Sequence, residues 1–265
     1  MIYVCIPSYN EASTVGLVLW KIRRVFEEFP REYQLLVVDD GSTDPTAEVL
    51  EPYAKALSLT VIRHGERRGY GSSVEELMRA ALERSDRPKR DAAILLHADF
   101  AHSPEFLPEL VRRLDSGADV VVTQATVQGE TSRGRRWVRK AARFLLPGLS
   151  IPGSTDVVSG CGAIRLICLR NAIRTSGGSL ITTDGWTANA ELFARAAQQA
   201  RRVDVVQTVE RHDLRERLSR VDAWGYAKEL WRNGRRLRIR SGPRGESSGP
   251  GSPPSESNEL QEATS

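Results

Sequence analysis

Two hydrophobic periods alternate through the first half of the chain, and this alternation limits the fold more than any other feature. Residues 2–6 (IYVCI) form an apolar β run closed by Pro7. Val15, Val18, Leu19, Ile22, Val25, Phe26 and Phe29 then recur at helical spacing until Pro30 ends them. Residues 34–38 (QLLVV) are nearly continuous in apolar side chains, as a parallel strand covered on both faces requires. Asp44 and Pro45 read as the N-cap and first turn of a second helix. The strand LTVIR, a Gly-rich loop, a helix over about 74–84, the strand AAILLH, a helix opened by Pro104 and the strand ADVVVT follow. Repeated βα units with short connections predict an α/β fold: a Rossmann-like, mainly parallel central sheet with helices on both faces.

The pattern loosens from about 124 to 159, where residues 135–144 form a basic amphipathic stretch with Arg135, Arg136, Arg139, Lys140 and Arg143. A helix over 187–200, the strand VDVVQTV and a last helix over about 222–240 complete the expected domain, residues 1–240. In residues 241–265, 15 of 25 side chains are Ser, Gly or Pro and Leu260 is the one large apolar group. Too little surface is available there to offset the entropy of ordering, so a disordered tail is expected. The tail carries net −3 and the remaining chain therefore +7. A positive body suits an anionic partner: a nucleotide diphosphate, a lipid phosphate or a nucleic acid. The basic residues lack interleaved aromatics, and no helix-turn-helix or zinc spacing occurs, so a nucleic acid is not the expected choice. Three cysteines, Cys5, Cys161 and Cys168, sit among apolar neighbours. That argues against a disulfide framework and for a reducing, cytoplasmic setting. No run approaches the roughly 18 apolar residues of a membrane span, and MIYVCIP lacks the basic start of a signal peptide.

In open parallel sheets, ligands bind beyond the carboxyl ends of the strands, where strand order reverses. Here those ends carry Pro7-Ser8-Tyr9-Asn10-Glu11, Asp39-Asp40-Gly41-Ser42-Thr43-Asp44 and His97-Ala98-Asp99. Turn and cap chemistry accounts for Gly41 and Asp44 but leaves the adjacent carboxylates Asp39 and Asp40 without a structural task. Such a pair is costly to bury unless it binds something, so both are candidate ligand contacts.

IPSYNEASTV, VVDDGSTD, RRGYGSS and HADFAHSPE, in that order and spacing, resemble the family 2 glycosyltransferases with the GT-A fold. TDVVSGCGAIR and DGWTANAEL look like later motifs of the dolichyl- or polyprenyl-phosphate mannosyltransferase branch. The resemblance implies an inverting enzyme that moves a sugar from a GDP- or UDP-sugar to a polyprenyl phosphate, with peripheral contact at a membrane face. A soluble hydroxyl acceptor, or nucleotide-sugar binding without turnover, are the alternatives. It also implies roles for residues. Pro7, Tyr9 and Glu11 line the nucleoside pocket, Asp40 meets the base edge with Asp39 beside it, and Arg68 and Gly69 face the nucleotide. Arg139 and Arg165 stabilise the leaving diphosphate, and Arg217 and Arg220 belong to a basic acceptor loop. Asp184 or Glu191 is the general base if the acceptor is a hydroxyl.

The implied metal is divalent, and here the motif departs from the family's usual Asp-x-Asp. His97, Asp99 and Ala101 stand in the three places. Imidazole suits Mn²⁺ better than Mg²⁺, so Mn²⁺ is favoured, or arginines take over part of the charge. Gly162 occupies a position where the branch often has an Arg that meets lipid phosphate.

Overall fold

The computed structural model describes residues 1–100, 102–128, 133–146, 149, 151–156, 158, 160–211 and 223–237. Arg217, Arg220 and the expected tail lie outside them.

The first two-thirds of the chain alternates as its periods require. Strands β1 (Ile2–Ser8), β2 (Tyr33–Asp39), β3 (Leu59–Arg63) and β4 (Ala92–Leu95) are separated by helices α1 (Val15–Glu28), α2 (Thr46–Ala56) and α3 (Tyr70–Arg84). Then come a 3₁₀ turn at Pro104–Phe106, α4 (Leu107–Asp115), β5 (Val120–Gln128), α5 (Arg133–Leu145), β6 (Gly162–Arg165), α6 (Leu166–Thr175), α7 (Gly185–Ala197), β7 (Val203–Arg211) and α8 (Ala223–Arg236). All seven strands join one sheet in the order β3-β2-β1-β4-β6-β5-β7. β1 pairs parallel with β2 and β4, β2 with β3, and β5 with β7. β6 alone runs antiparallel, to β4 and β5 on either side.

Strands one to three move outward on one side of β1, and β4 lies on its other side. The order reverses between β1 and β4, so a crevice opens beyond their carboxyl ends. Alternate side chains divide the core. Tyr3, Cys5, Leu36 and Val38 pack towards α3, α6 and α7, whereas Val4, Ile6, Leu35 and Val37 pack towards α1 and α4. Both faces are buried, which accounts for the continuous apolar strands. A third cluster unites Ala142 and Leu146 with Ala190 and Ala194 of α7 and with Leu230 and Leu237, so α5 and α8 dock together on α7.

Two differences from the sequence reading concern the site. α3 begins at Tyr70, not near 74, because the Gly-rich loop itself turns into the helix. Gly69 takes φ +100°, and a Cβ on Gly71 would stand 2.1 Å from the Thr183 carbonyl oxygen. Residues 162–165, read from sequence only as the end of a motif, form β6, and α6 follows unanticipated; four residues of strand are too short for a period to show.

Candidate functional site

The loops after β1 and β2 are knitted together before they can meet any ligand. The Asn10 side-chain oxygen accepts the Thr43 N–H at 2.7 Å and the Asp44 N–H at 3.3 Å, and the Asn10 N–H donates to Ser42 Oγ at 2.9 Å. Asp44 accepts the Thr46 N–H at the start of α2 and the Ala12 N–H, so it caps one loop and ties the other. Asp39 Oδ1 accepts the Ser42 N–H at 3.1 Å, closing the turn. Asp40 is the busiest carboxylate. Its Oδ1 accepts the Arg68 N–H at 2.8 Å and meets His64 Nδ1 at 2.7 Å, and its Oδ2 accepts the Gly69 N–H at 2.9 Å. Asp39 and Asp40 are 4% and 3% exposed. The adjacent acids therefore do have structural tasks, contrary to the sequence argument; long-range partners such as His64 and Gly69 are invisible to a local reading.

A cleft of about 180 Å³ sits at the crevice between β1 and β4. It brings together Pro7, Tyr9, Glu11, Asp40, His97 and Asp99, all named from sequence, and adds Arg67, Tyr70 and Ser73. The Arg67 guanidinium lies 4.4 Å above the Tyr9 ring. Glu11 also accepts the Thr14 hydroxyl at 2.9 Å, just ahead of α1. The arginine in the cleft is thus Arg67, one residue before Arg68. The Arg68 side chain is half exposed and approaches Glu76 at 4.0 Å. A loop has no hydrophobic period, so nothing in RRGYG tells which arginine turns inward.

His97 is engaged by the protein. Its ring stacks on Tyr70 with centroids 5.6 Å apart, its Nε2 lies 3.4 Å from the Tyr70 hydroxyl, and that hydroxyl donates to Asn189 at 2.8 Å. Gly160 admits the ring: a Cβ there would stand 1.8 Å from Nε2. Burial holds the Tyr70 phenol well above its ordinary pKa. Among the described residues no group of three or more His, Cys, Asp or Glu side chains could by itself hold a metal ion.

The remaining candidates part company. Asp184 is exposed at the start of α7, and its Oδ1 accepts the Gly71 N–H at 2.7 Å, which brings it to the head of α3. Behind it, Glu229 of α8 has a raised pKa, through burial first and the charge of Asp184 second. Glu191 does not fit the role of general base. It is fully buried, and its carboxylate is occupied by the N–H and hydroxyl groups of Thr182 and Thr183 and by Arg195 at 2.7 Å. It fastens the loop that carries Asp184. Arg165 is not brought to the cleft either. It ends an antiparallel strand and pairs with Ala92 at the start of β4, so it lies at the opposite edge of the sheet, donating to the carbonyls of Arg90 and Leu114. Arg139 grips Asp156 through Nε and Nη2, the latter at 2.6 Å, and joins α5 to the 151–156 loop outside the cleft.

Sheet order, the reversal at β1 and β4 and a cleft lined from three strand tips define a GT-A fold, and solved structures agree. The chain superposes on glucosyl-3-phosphoglycerate synthase from Mycobacterium tuberculosis in complex with phosphoglyceric acid with a TM-score of 0.61 at 20% identity, over 91% of this chain and 81% of that one. TarS of S. aureus in complex with UDP-GlcNAc gives 0.55 at 19% identity, over 80% and 59%. The profile of glycosyl transferase family 2 matches residues 3–169, and the chain belongs to that family. Among curated proteins, the undecaprenyl-phosphate 4-deoxy-4-formamido-L-arabinose transferase of Edwardsiella ictaluri is 31% identical over 173 residues, 65% of this chain and 49% of that protein. Its namesake in Proteus mirabilis is 33% identical over 143 residues, 54% and 41%. The chain thus spans about half the length of these relatives or less.

Proposed function

We propose that this chain is an inverting glycosyltransferase that moves a sugar from a nucleotide-sugar donor, a GDP- or UDP-sugar, to a polyprenyl phosphate. The cleft where the tips of β1, β2 and β4 meet is the observation that carries this reading. It offers an aromatic ring and a guanidinium at Tyr9 and Arg67, hydrogen-bond acceptance at Asp40 and a carboxylate at Asp99. Those groups suit a base, a diphosphate and a cation in turn, and the names of the curated relatives support the lipid acceptor.

Departure of the diphosphate concentrates negative charge on its oxygens, and catalysis rests on countering that charge as it develops. Arg67 lies in the cleft and is the arginine best placed to do so. A divalent cation supplies the same chemistry when bound, and Mn²⁺ is the favoured ion. Such ions are commonly held by one or two carboxylates together with substrate phosphates. Asp99 therefore fits a site that is complete only with the donor present, with His97, whose Nε2 faces the Tyr70 hydroxyl, beside it in the cleft. A phosphate acceptor is already anionic and needs no strong base. A second reading, transfer to a soluble hydroxyl acceptor, is favoured by exposed Asp184, a carboxylate able to take the proton.

The α5–α8 layer suits the acceptor's setting. Trp137 and Phe144 on α5, a helix whose sequence is rich in arginine, are 74% and 70% exposed, and Trp231 on α8 is 50% exposed. Exposed aromatics with basic groups favour a peripheral seat on anionic lipid, at the cytoplasmic face of a membrane. No helix among the described residues is long and apolar enough to cross one.

The test is transfer from radiolabelled UDP- and GDP-sugars to polyprenyl phosphate or to soluble hydroxyl acceptors, with Mn²⁺, Mg²⁺ or chelator. Organic-phase product supports the lipid acceptor and water-soluble product the second reading. Nucleotide binding without turnover under any condition refutes both. Asp99→Asn is expected to remove the metal stimulation.

A further inference from the structure

His64 directly follows β3, outside every motif that marks the site, and is enclosed by charge. Its side chain is 1% exposed; Nδ1 lies 2.7 Å from Asp40 Oδ1 and Nε2 lies 2.6 Å from Glu76 Oε2 on α3. Both ring nitrogens therefore face carboxylate oxygens. A neutral imidazole donates from one nitrogen only; the imidazolium donates from both. Asp40 in turn receives the backbone N–H groups of Arg68 and Gly69, which sit between the two cleft-lining side chains Arg67 and Tyr70.

We propose that His64, as an imidazolium bridging Asp40 to Glu76, is a positioning residue for nucleotide recognition. It aims the Asp40 carboxylate at the cleft and, through Asp40, holds the 67–70 segment as the cleft wall. This rests on reading the cleft as the nucleotide pocket. Asp40 Oδ1 is filled by His64 and Arg68, whereas Oδ2 carries one bond, from Gly69. A carboxylate oxygen has about two acceptor sites, so Oδ2 retains one for a base-edge N–H. Without the His64 bond Asp40 loses a side-chain anchor, and the wall loosens with it.

The charges around the ring set the direction of its titration. Burial opposes protonation, the hydrogen bonds that His64 donates to Asp40 and Glu76 and the charge of Glu76 outweigh it, and Arg68 works against them; the net effect raises the His64 pKa. Arg63, at the same strand end, turns its guanidinium to the Ala47 carbonyl. A raised folded pKa means that the bridge is fully formed below the ordinary histidine value and is lost as pH rises through the folded value. Nucleotide affinity then has an alkaline limb that belongs to His64.

The experiment measures UDP and GDP binding calorimetrically over about pH 5.5 to 8.5, a range that spans the histidine titration. It compares the unmodified chain with Glu76→Gln, His64→Asn and His64→Phe. The titration of the nucleotide is common to all four and cancels in the ratios. Glu76→Gln removes a charge that supports the imidazolium, so the limb is expected at lower pH with little loss of affinity in acid. His64→Phe is expected to weaken binding about tenfold and abolish the limb, and His64→Asn, which keeps a donor towards Asp40, to lose less. Should the unmodified chain bind nucleotide while Glu76→Gln leaves its affinity and pH profile in place, His64 does not position the site. If the His64 variants fail to fold, Glu76→Gln decides alone. A chain that binds neither UDP nor GDP overturns the pocket reading, and this inference with it.

Discussion

The two halves of the sheet handle charged side chains in opposite ways. From β3 across to β4 the strands are parallel, every strand end points to the same edge, and Glu11, Asp40, Asp99 and Arg67 gather at one cleft. Beyond β4 the chain reverses in β6, and the charged residues there become fastenings: Arg165 on the carbonyls of Arg90 and Leu114, Glu191 on Thr182, Thr183 and Arg195, Arg139 on Asp156. A charge at the end of a strand points to a site only when the direction of that strand is known.

Truncating Glu191 should show this contrast most strongly. Glu191→Ala strips partners from four threonine donors and leaves Arg195 without its buried carboxylate, at an expected cost of about 3–5 kcal/mol. Denaturant melts measure it. Nucleotide affinity in the folded fraction should be unchanged, and loss of transfer without loss of stability would return Glu191 to the chemistry. Asp40→Ala acts on the other half. It removes a cleft acceptor and the anchor of Arg68 and Gly69, and should weaken UDP or GDP binding by roughly 1.5–3 kcal/mol, tenfold or more. Unchanged affinity by calorimetry would take Asp40 out of the pocket.

Arg165→Ala removes two charge-assisted bonds to carbonyls at the far edge and should lower stability by about 1–2 kcal/mol. Transfer kinetics corrected for folded protein should stay as they were; a fall in turnover would blur the contrast between the halves. The smallest expected effect belongs to the surface. Trp137→Ser should reduce flotation with anionic liposomes severalfold, more so at high salt, and leave nucleotide binding alone. Equal flotation would remove α5 from the lipid contact.

Most of the cleft lining is legible in the sequence. A parallel strand buried on both faces shows as an apolar run, the loop after it carries the polar residues, and the order of Tyr9, Asp40 and Asp99 along the chain places them at one rim. The loop between Arg63 and Tyr70 is legible only in part: its glycines and arginines mark it as a candidate, but the inward turn of Arg67 and the bridge of His64 depend on partners 12 or more residues away. Local spacing carries no record of such contacts.

What the sequence determined by itself is the alternation of strand and helix, the crevice that follows from it and the kinds of group delivered there, because hydrophobic period and strand-end chemistry are local properties. Tertiary structure alone decided which charges face a ligand and which are spent on the protein. That choice hangs on the direction of β6, on the approach of Gly71 to Thr183 and of Gly160 to His97, and on which carboxylate meets which donor across the fold. Burial makes each of those pairings energetically decisive, and burial exists only once the layers have come together.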